Sequence, residues 1–187
     1  MEVQIDAEVP KLHNRGRLVA LRRISSIGRI TYDALRFEGD KRIKNDVIAR
    51  YLTAEAEAVK SESTSLAVTP ANYKFKFKGL VQREGRNVYA FRVSPRKKNT
   101  GLYEGELLLD PATHLPIRES GRLSKSPSIF IKKIEFVRDY QIVDGVAVPR
   151  RIESLVHTRI VGKAKLSVAF SSVSLAPSVL ASAAGGL

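Results

Sequence analysis

The run 89–118 constrains this chain most: two strands meet across a charged connection, and a third follows a tight turn. Tyr89, Phe91 and Val93 alternate with Ala90, Arg92 and Ser94. A period of two puts the large apolar groups on one face and the arginine on the other. Pro95 has no amide hydrogen and ends the pairing. Arg96, Lys97, Lys98, Asn99, Thr100 and Gly101 make an exposed basic turn. The next strand sets Tyr103, Gly105, Leu107 and Leu109 on one face and Leu102, Glu104, Glu106 and Leu108 on the other. Its end is apolar on both faces, so the second face must be covered there. Asp110-Pro111 then opens a turn, because proline presets φ and aspartate bonds the backbone ahead of it.

Period-two strands flank this run. Val3, Ile5, Ala7 and Val9 alternate with polar neighbours up to Pro10, and 17–24 and 29–37 follow after short polar turns, which predicts a meander. The period then changes. Asp40 is the expected N-cap. Ile43, Val47, Ile48, Tyr51 and Leu52 share one helical face, with Lys41, Lys44, Asn45 and Arg50 opposite. The spacing predicts one helix over about 40–59, ended before the serine-rich stretch 60–65. Beyond it, Tyr73, Phe75 and Phe77 alternate with Lys74, Lys76 and Lys78, and Glu84-Gly85 turns that strand into the next. Further strands are expected at 117–123 and 129–142, with Lys132-Lys133 marking a bulge. Asp144-Gly145 is a hairpin signal. Pro149 makes 146–154 an edge strand or a bulged one. The last strand, 156–174, sets Val156, Ile160, Ala164, Leu166, Val168 and Phe170 on one face and Arg159, Lys163 and Lys165 on the other.

About ten strands and one long helix, with no helix between successive strands, predict an α+β fold that is mostly β. The expected form is a strongly curved antiparallel half-barrel sheet with the helix on its concave side. At 187 residues the chain is expected to be one domain over 1–175, followed by a disordered, glycine-ending tail over 176–187.

Charge narrows the partners. Lys plus Arg number 32 against 19 for Asp plus Glu, a formal +13 that attracts nucleic acid, anionic lipid or acidic protein. The chain has no cysteine, which excludes disulfides and thiolate chemistry without naming a compartment. No run reaches the roughly 18 apolar residues of a membrane span. Glu2 follows Met1 directly, so no leader is expected in this sequence; a cytosolic chain and one that starts after a removed leader both fit.

No catalytic set emerges. His13, His114 and His157 stand apart, and a metal needs several converging donors. Glu104 and Glu106 share a strand face, where a solvated pair beside Lys and Arg is expected over an acid/base pair. Nucleophile elbow, phosphate loop and dinucleotide fingerprint are all missing. No enzyme activity, cofactor or metal is expected. The basic clusters Arg96-Lys97-Lys98, Lys132-Lys133, Arg150-Arg151 and Arg159/Lys163/Lys165 serve solubility and edge protection, or dock anionic headgroups or an acidic protein. The strand opened by Tyr73 lacks the glycine-flanked aromatic motifs of nucleic-acid readers, so its aromatics are expected to face the core and no nucleic acid is expected.

Three stretches carry a family likeness: Val88-Tyr89-Ala90-Phe91-Arg92-Val93-Ser94-Pro95, then Gly105-Glu106-Leu107-Leu108-Leu109-Asp110, then Thr113, Leu115-Pro116 and Arg118. Their order resembles the outer-membrane lipoprotein-sorting superfamily: the carriers and receptors of bacterial lipoprotein traffic and the related N-terminal domain of a periplasmic stress sensor. His114 stands where that family commonly has glycine, and Leu108 where an aromatic is usual. No residue matches the family's interior arginine, and the lid mechanism is not carried over. The resemblance implies a periplasmic, non-enzymatic half-barrel that holds acyl chains in an apolar cleft.

The expected function is therefore a monomeric carrier that takes lipid or lipoprotein acyl chains. The cleft is expected to be lined by Tyr89, Phe91, Val93, Tyr103, Leu107, Leu109, Phe136, Ile160, Leu166 and Val168. Arg96, Lys97, Lys98, Arg159, Lys163 and Lys165 are the expected basic docking surface, for an anionic membrane or an acidic protein. The apolar set reads equally as a filled core. Two alternatives stand beside the carrier: a periplasmic protein-interaction or sensor module on the same scaffold, and a polyanion-binding basic domain.

Overall fold

The computed structural model describes residues 1–25, 29–60 and 66–174, with 57–60 as backbone only. Of the expected serine-rich break at 60–65, residues 61–65 lie outside the described residues, as does the expected tail at 176–187. Ten antiparallel strands form one open sheet: β1 (Glu2–Val9), β2 (Asn14–Ile24), β3 (Ile30–Gly39), β4 (Tyr73–Arg83), β5 (Arg86–Pro95), β6 (Tyr103–Leu109), β7 (Pro116–Leu123), β8 (Ile131–Val143), β9 (Val146–Thr158) and β10 (Lys163–Ser171). Their order is β3-β2-β1-β10-β9-β8-β7-β6-β5-β4. Successive strands are neighbours except β3 and β4, which stand at opposite edges, and β10 closes against β1 in mid-sheet.

The separation of β3 from β4 explains the helix. The chain must travel from one edge to the other, roughly 43 Å across a flat sheet at the usual strand spacing. It does so through α1 (Lys41–Ile43), a π-helical turn (Lys44–Ile48) and α2 (Ala49–Lys60), which run on as one helix. Asp40 caps it, its side chain accepting from the Arg42 amide at 2.7 Å. The i→i+5 turn brings Ile43 and Ile48 to one side, and both are buried. With Val47, Tyr51 and Leu52 they pack on Val3, Ile5, Leu18, Ala20, Leu166 and Val168. The helix side is the concave one. Tyr51 lies within electrostatic reach of Tyr32 on β3 and Arg138 on β8, strands that a flat sheet would hold roughly 24 Å apart.

The turns follow their sequence signals. Glu84-Gly85 and Asp144-Gly145 each hold two successive positive φ angles, the hairpin turn that matches strand twist. Asp110 Oδ1 accepts from the Ala112 and Thr113 amides and the Thr113 hydroxyl, and His114 adopts φ 59°, in the left-handed region that favours glycine. The bulge at Lys132 is present, the register stepping from Ile131 to Lys133. β9 lies inside the sheet between β8 and β10, so of the two readings of Pro149 the bulge holds, with Arg150 the extra residue. Leu108 is covered on its second face by Val88, Ala90, Val81 and Ile117. Leu102 precedes β6 and turns into the cluster of Tyr73, Val93, Tyr103 and Leu107, away from the glutamate face where alternation set it.

Candidate functional site

Strand register assembles one row of side chains through all ten strands on the concave face. From edge to edge it reads Phe37, Leu18, Ile5, Val168, Ile152, Arg138, Glu119, Leu107, Phe91, Phe77. The helix packs principally on β1, β2 and β3. Under it the row is a filled core, with Ile5 and Val168 fully buried. At the other edge the row opens. Phe91 is half-buried, and Phe77 on the edge strand β4 is 56% exposed. Phe77 packs against Phe91 with ring centroids 5.2 Å apart, Phe75 meets Phe91 edge-on, and Phe77 meets Tyr89, which stacks on His114. This aromatic strip is the uncovered half of the concave face among the described residues.

A polar pair divides the two halves. Arg138 bonds Glu119 at 3.3 Å and donates to the Tyr140 hydroxyl at 3.3 Å, with its guanidinium over the Phe136 ring. Glu119 is buried, and burial pushes its carboxyl above the usual range while Arg138 pulls the other way. Burial likewise pushes the Tyr140 hydroxyl up to about 12. Arg138 keeps 40% of its side-chain surface although Glu119, Tyr140 and Phe136 crowd it, so part of its guanidinium stays open to water between the two halves of the concave face. Its Nε and the Tyr103 hydroxyl are enclosed without a hydrogen-bond partner. Sequence reasoning missed this pair. The available signal was parity: Arg138 alternates in step with Ile134, Phe136 and Tyr140, so it had to share their face.

The expected cleft residues divide four ways. Tyr89, Phe91, Leu109 and Phe136 are half-buried on the concave face, as a lining would be. Val93, Tyr103 and Leu107 are buried in one cluster with Phe91, Leu109 and Phe136, whereas Leu166 and Val168 belong to the core under the helix. Ile160 is a correction, since it lies in the β9–β10 turn and is 66% exposed. Thr158 ends β9 there, its hydroxyl donating to the Gly162 carbonyl and accepting from the Val161 amide, and Gly162 has φ 79°. The alternation counted through this turn is broken by it.

The basic set is also divided. Arg96, Lys97 and Lys98 occupy the β5–β6 turn and Arg159 the β9–β10 turn, while Lys163 and Lys165 lie on β10's convex face. Lys165 pairs with Glu8. On the same convex face Glu104 bonds Arg92 and Arg122, whose hydrogen bonds hold its carboxyl below the usual range, and Glu106 pairs with Arg83. A shallow hollow of about 950 Å³ lies there too, walled by the pairs Asp6–Arg17 and Glu8–Lys165, whose charges satisfy one another. Among the described residues no cluster of His, Asp or Glu suits a metal, and no helix is long and apolar enough to cross a membrane.

No family profile matches the chain, and no curated protein matches it. Among solved structures, a crystal structure of MucB aligns over 90% of this chain and 85% of that one, at 13% identity and a TM-score of 0.31. MucB in complex with MucA(peri) aligns over 89% and 86%, at 13% identity and a TM-score of 0.24. The complex of MucA and MucB from Pseudomonas aeruginosa aligns over 89% and 86%, at 12% identity and a TM-score of 0.27.

Proposed function

We propose that this chain is a non-enzymatic protein-interaction module that takes an extended, acidic polypeptide segment onto the uncovered half of its concave face. One observation carries the reading: the ten-strand row leaves the helix's cover and ends in Phe77, exposed on the unpaired edge strand β4. An edge strand offers a column of free amides and carbonyls, and a partner strand that pairs with it also covers the adjoining face. The side chains of β4 specify such a partner. Phe75 and Phe77 lie on the concave face, and Lys74, Lys76 and Lys78 alternate with them without an acidic partner among the described residues. A segment with apolar residues on one face and carboxylates on the other matches both. The opposite edge is less inviting, because β3 carries its own pairs, Arg36–Glu38 and Arg23–Asp33.

An acyl chain is the second reading, favoured by the half-buried Tyr89, Phe91, Leu109 and Phe136 on one face. Arg138 weighs against it. A hydrocarbon tail laid over that cation, whose side chain is 40% exposed, would take it out of water without a partner, whereas a peptide carbonyl or carboxylate would pair with it. A periplasmic setting belongs to this proposal through the lipoprotein-sorting resemblance alone. The test is titration with a peptide alternating glutamate and valine, beside a fluorescent acyl probe. The account expects saturable peptide binding that Phe77→Asp or Phe91→Asp abolishes in a folded protein. Acyl binding lost in the same variants, with no peptide binding, would transfer the site to the second reading.

A further inference from the structure

A separate feature lies at one end of the sheet. Three consecutive connections emerge there side by side: β1–β2, β9–β10 and β7–β8, because β2, β1, β10, β9, β8 and β7 are neighbours in that order. They touch. The Arg159 amide and Nε donate to the Phe130 and Ile129 carbonyls, each at 2.9 Å, and a Cβ on Gly162 would meet Lys11 at 3.6 Å. Each connection presents a large apolar side chain to water: Leu12 from the first, Ile160 from the second, and Ile129 and Phe130 from the third, Ile129 at 79% exposure. Tips that water would rather shed seldom gather on one rim without a partner.

Charge says what the partner is. Lys11, Lys97, Lys98, Lys125 and Lys163 are exposed around these tips and have no acidic partner among the described residues. The β5–β6 turn bearing Lys97 and Lys98 joins the rim through Ser124, which bonds the Leu102 and Asn99 carbonyls. At the far end of the sheet the signs mix, with Glu84 between Arg83 and Arg86 in the β4–β5 turn, Arg29 before β3, and Asp110 and Asp144 in the β6–β7 and β8–β9 turns. The apolar groups project from separate hairpins and do not line a groove, so a fluid surface that admits each tip independently fits them better than a shaped protein pocket.

We infer that this rim docks on an anionic bilayer, its four apolar tips entering the headgroup boundary while the surrounding lysines meet lipid phosphates. The physics is that of an interfacial anchor, in which buried apolar area and electrostatic attraction add. The inference does not depend on the peptide site, which lies on another part of the sheet.

The test is flotation of the full chain with vesicles of phosphatidylcholine, with and without three parts in ten of phosphatidylglycerol. Binding to the anionic vesicles is expected to exceed binding to the neutral ones by about tenfold or more, in line with several basic side chains at the surface. Ile129→Ser/Phe130→Ser/Ile160→Ser removes exposed groups only and is expected to lose most of the binding at constant charge, with circular dichroism confirming the fold. Lys97→Glu/Lys98→Glu is expected to weaken the preference for anionic vesicles. Absence of flotation with anionic vesicles overturns the inference. So does flotation that the serine variant retains, and an oligonucleotide that competes equally would then identify a general polyanion surface. Neither result bears on peptide binding, which is read separately through Phe77 and Phe91.

Discussion

Gly105 and Gly121 face each other across β6 and β7 so closely that a Cβ on Gly105 would lie 1.9 Å from the Ser120 carbonyl oxygen. A Cβ on Gly121 would lie 2.2 Å from the Glu104 carbonyl. The obstacles are backbone, which cannot step aside as a side chain can. Tyr103 and Phe136 meet edge-on at 5.1 Å beside these two residues and fill the room the missing side chains leave. The Glu119–Arg138 pair lies on the next row of the same face.

Gly105→Ala is therefore expected to cost about 3 kcal/mol or more, at the severe end for a single substitution. Gly85→Ala is the control, since its Cβ meets nothing within 4 Å and only the φ of 75° is strained. It is expected to cost about 1 kcal/mol. Urea unfolding of both variants measures the difference, and equal costs would remove the close approach from the account.

Arg22 is buried beneath the helix and bonds Glu55 at 2.8 Å, and the Tyr32 hydroxyl donates to the same carboxylate. Burial disfavours the Arg22 cation, and Glu55 with Tyr32 outweighs it. Breaking such a pair costs more than replacing it. Glu55→Leu is expected to cost about 3 kcal/mol, and Arg22→Met/Glu55→Leu to recover most of that loss. Additive losses in a double-mutant cycle would show that the two residues act independently.

Glu119 predicts the sign of a pH dependence. Burial raises its folded pKa above the unfolded value of about 4.3. The stability it contributes is whole below that unfolded value and is lost as pH rises through the folded one. Glu119→Gln lacks this loss, so the variant is expected to gain on the parent between about pH 4 and about pH 7. Urea midpoints at the two pH values decide it; a gain by the parent would mean that Arg138, and not burial, governs the carboxyl.

Much of the fold could be read from residue order, for physical reasons that also show where reading stopped. Strand parity, the two-residue turns at Glu84-Gly85 and Asp144-Gly145 and the cap at Asp40 are local, and local chemistry suffices for them. The β9–β10 turn was as local, but its signal was Gly162 and Thr158, and period-two counting through Ile160 hid it. Strand order is not local. Tyr73, Phe75 and Phe77 alternate as a core-facing strand would, and they do take the concave face, yet β4 is an edge that the helix never reaches, so Phe77 stays in water. Parity within β8 sets Arg138 on the concave face, but its meeting with Glu119 on β7 comes through register alone, which neither strand's own pattern announces.

The central claim is that the concave face of β4 and β5 stands open to receive a segment. The chain contains no tryptophan, so Phe77→Trp places a single indole on that face. The account predicts water-exposed, red emission from the free protein and a saturable blue shift as the glutamate–valine peptide is added. Blue emission before any peptide is present, or red emission that no peptide concentration moves, would contradict it.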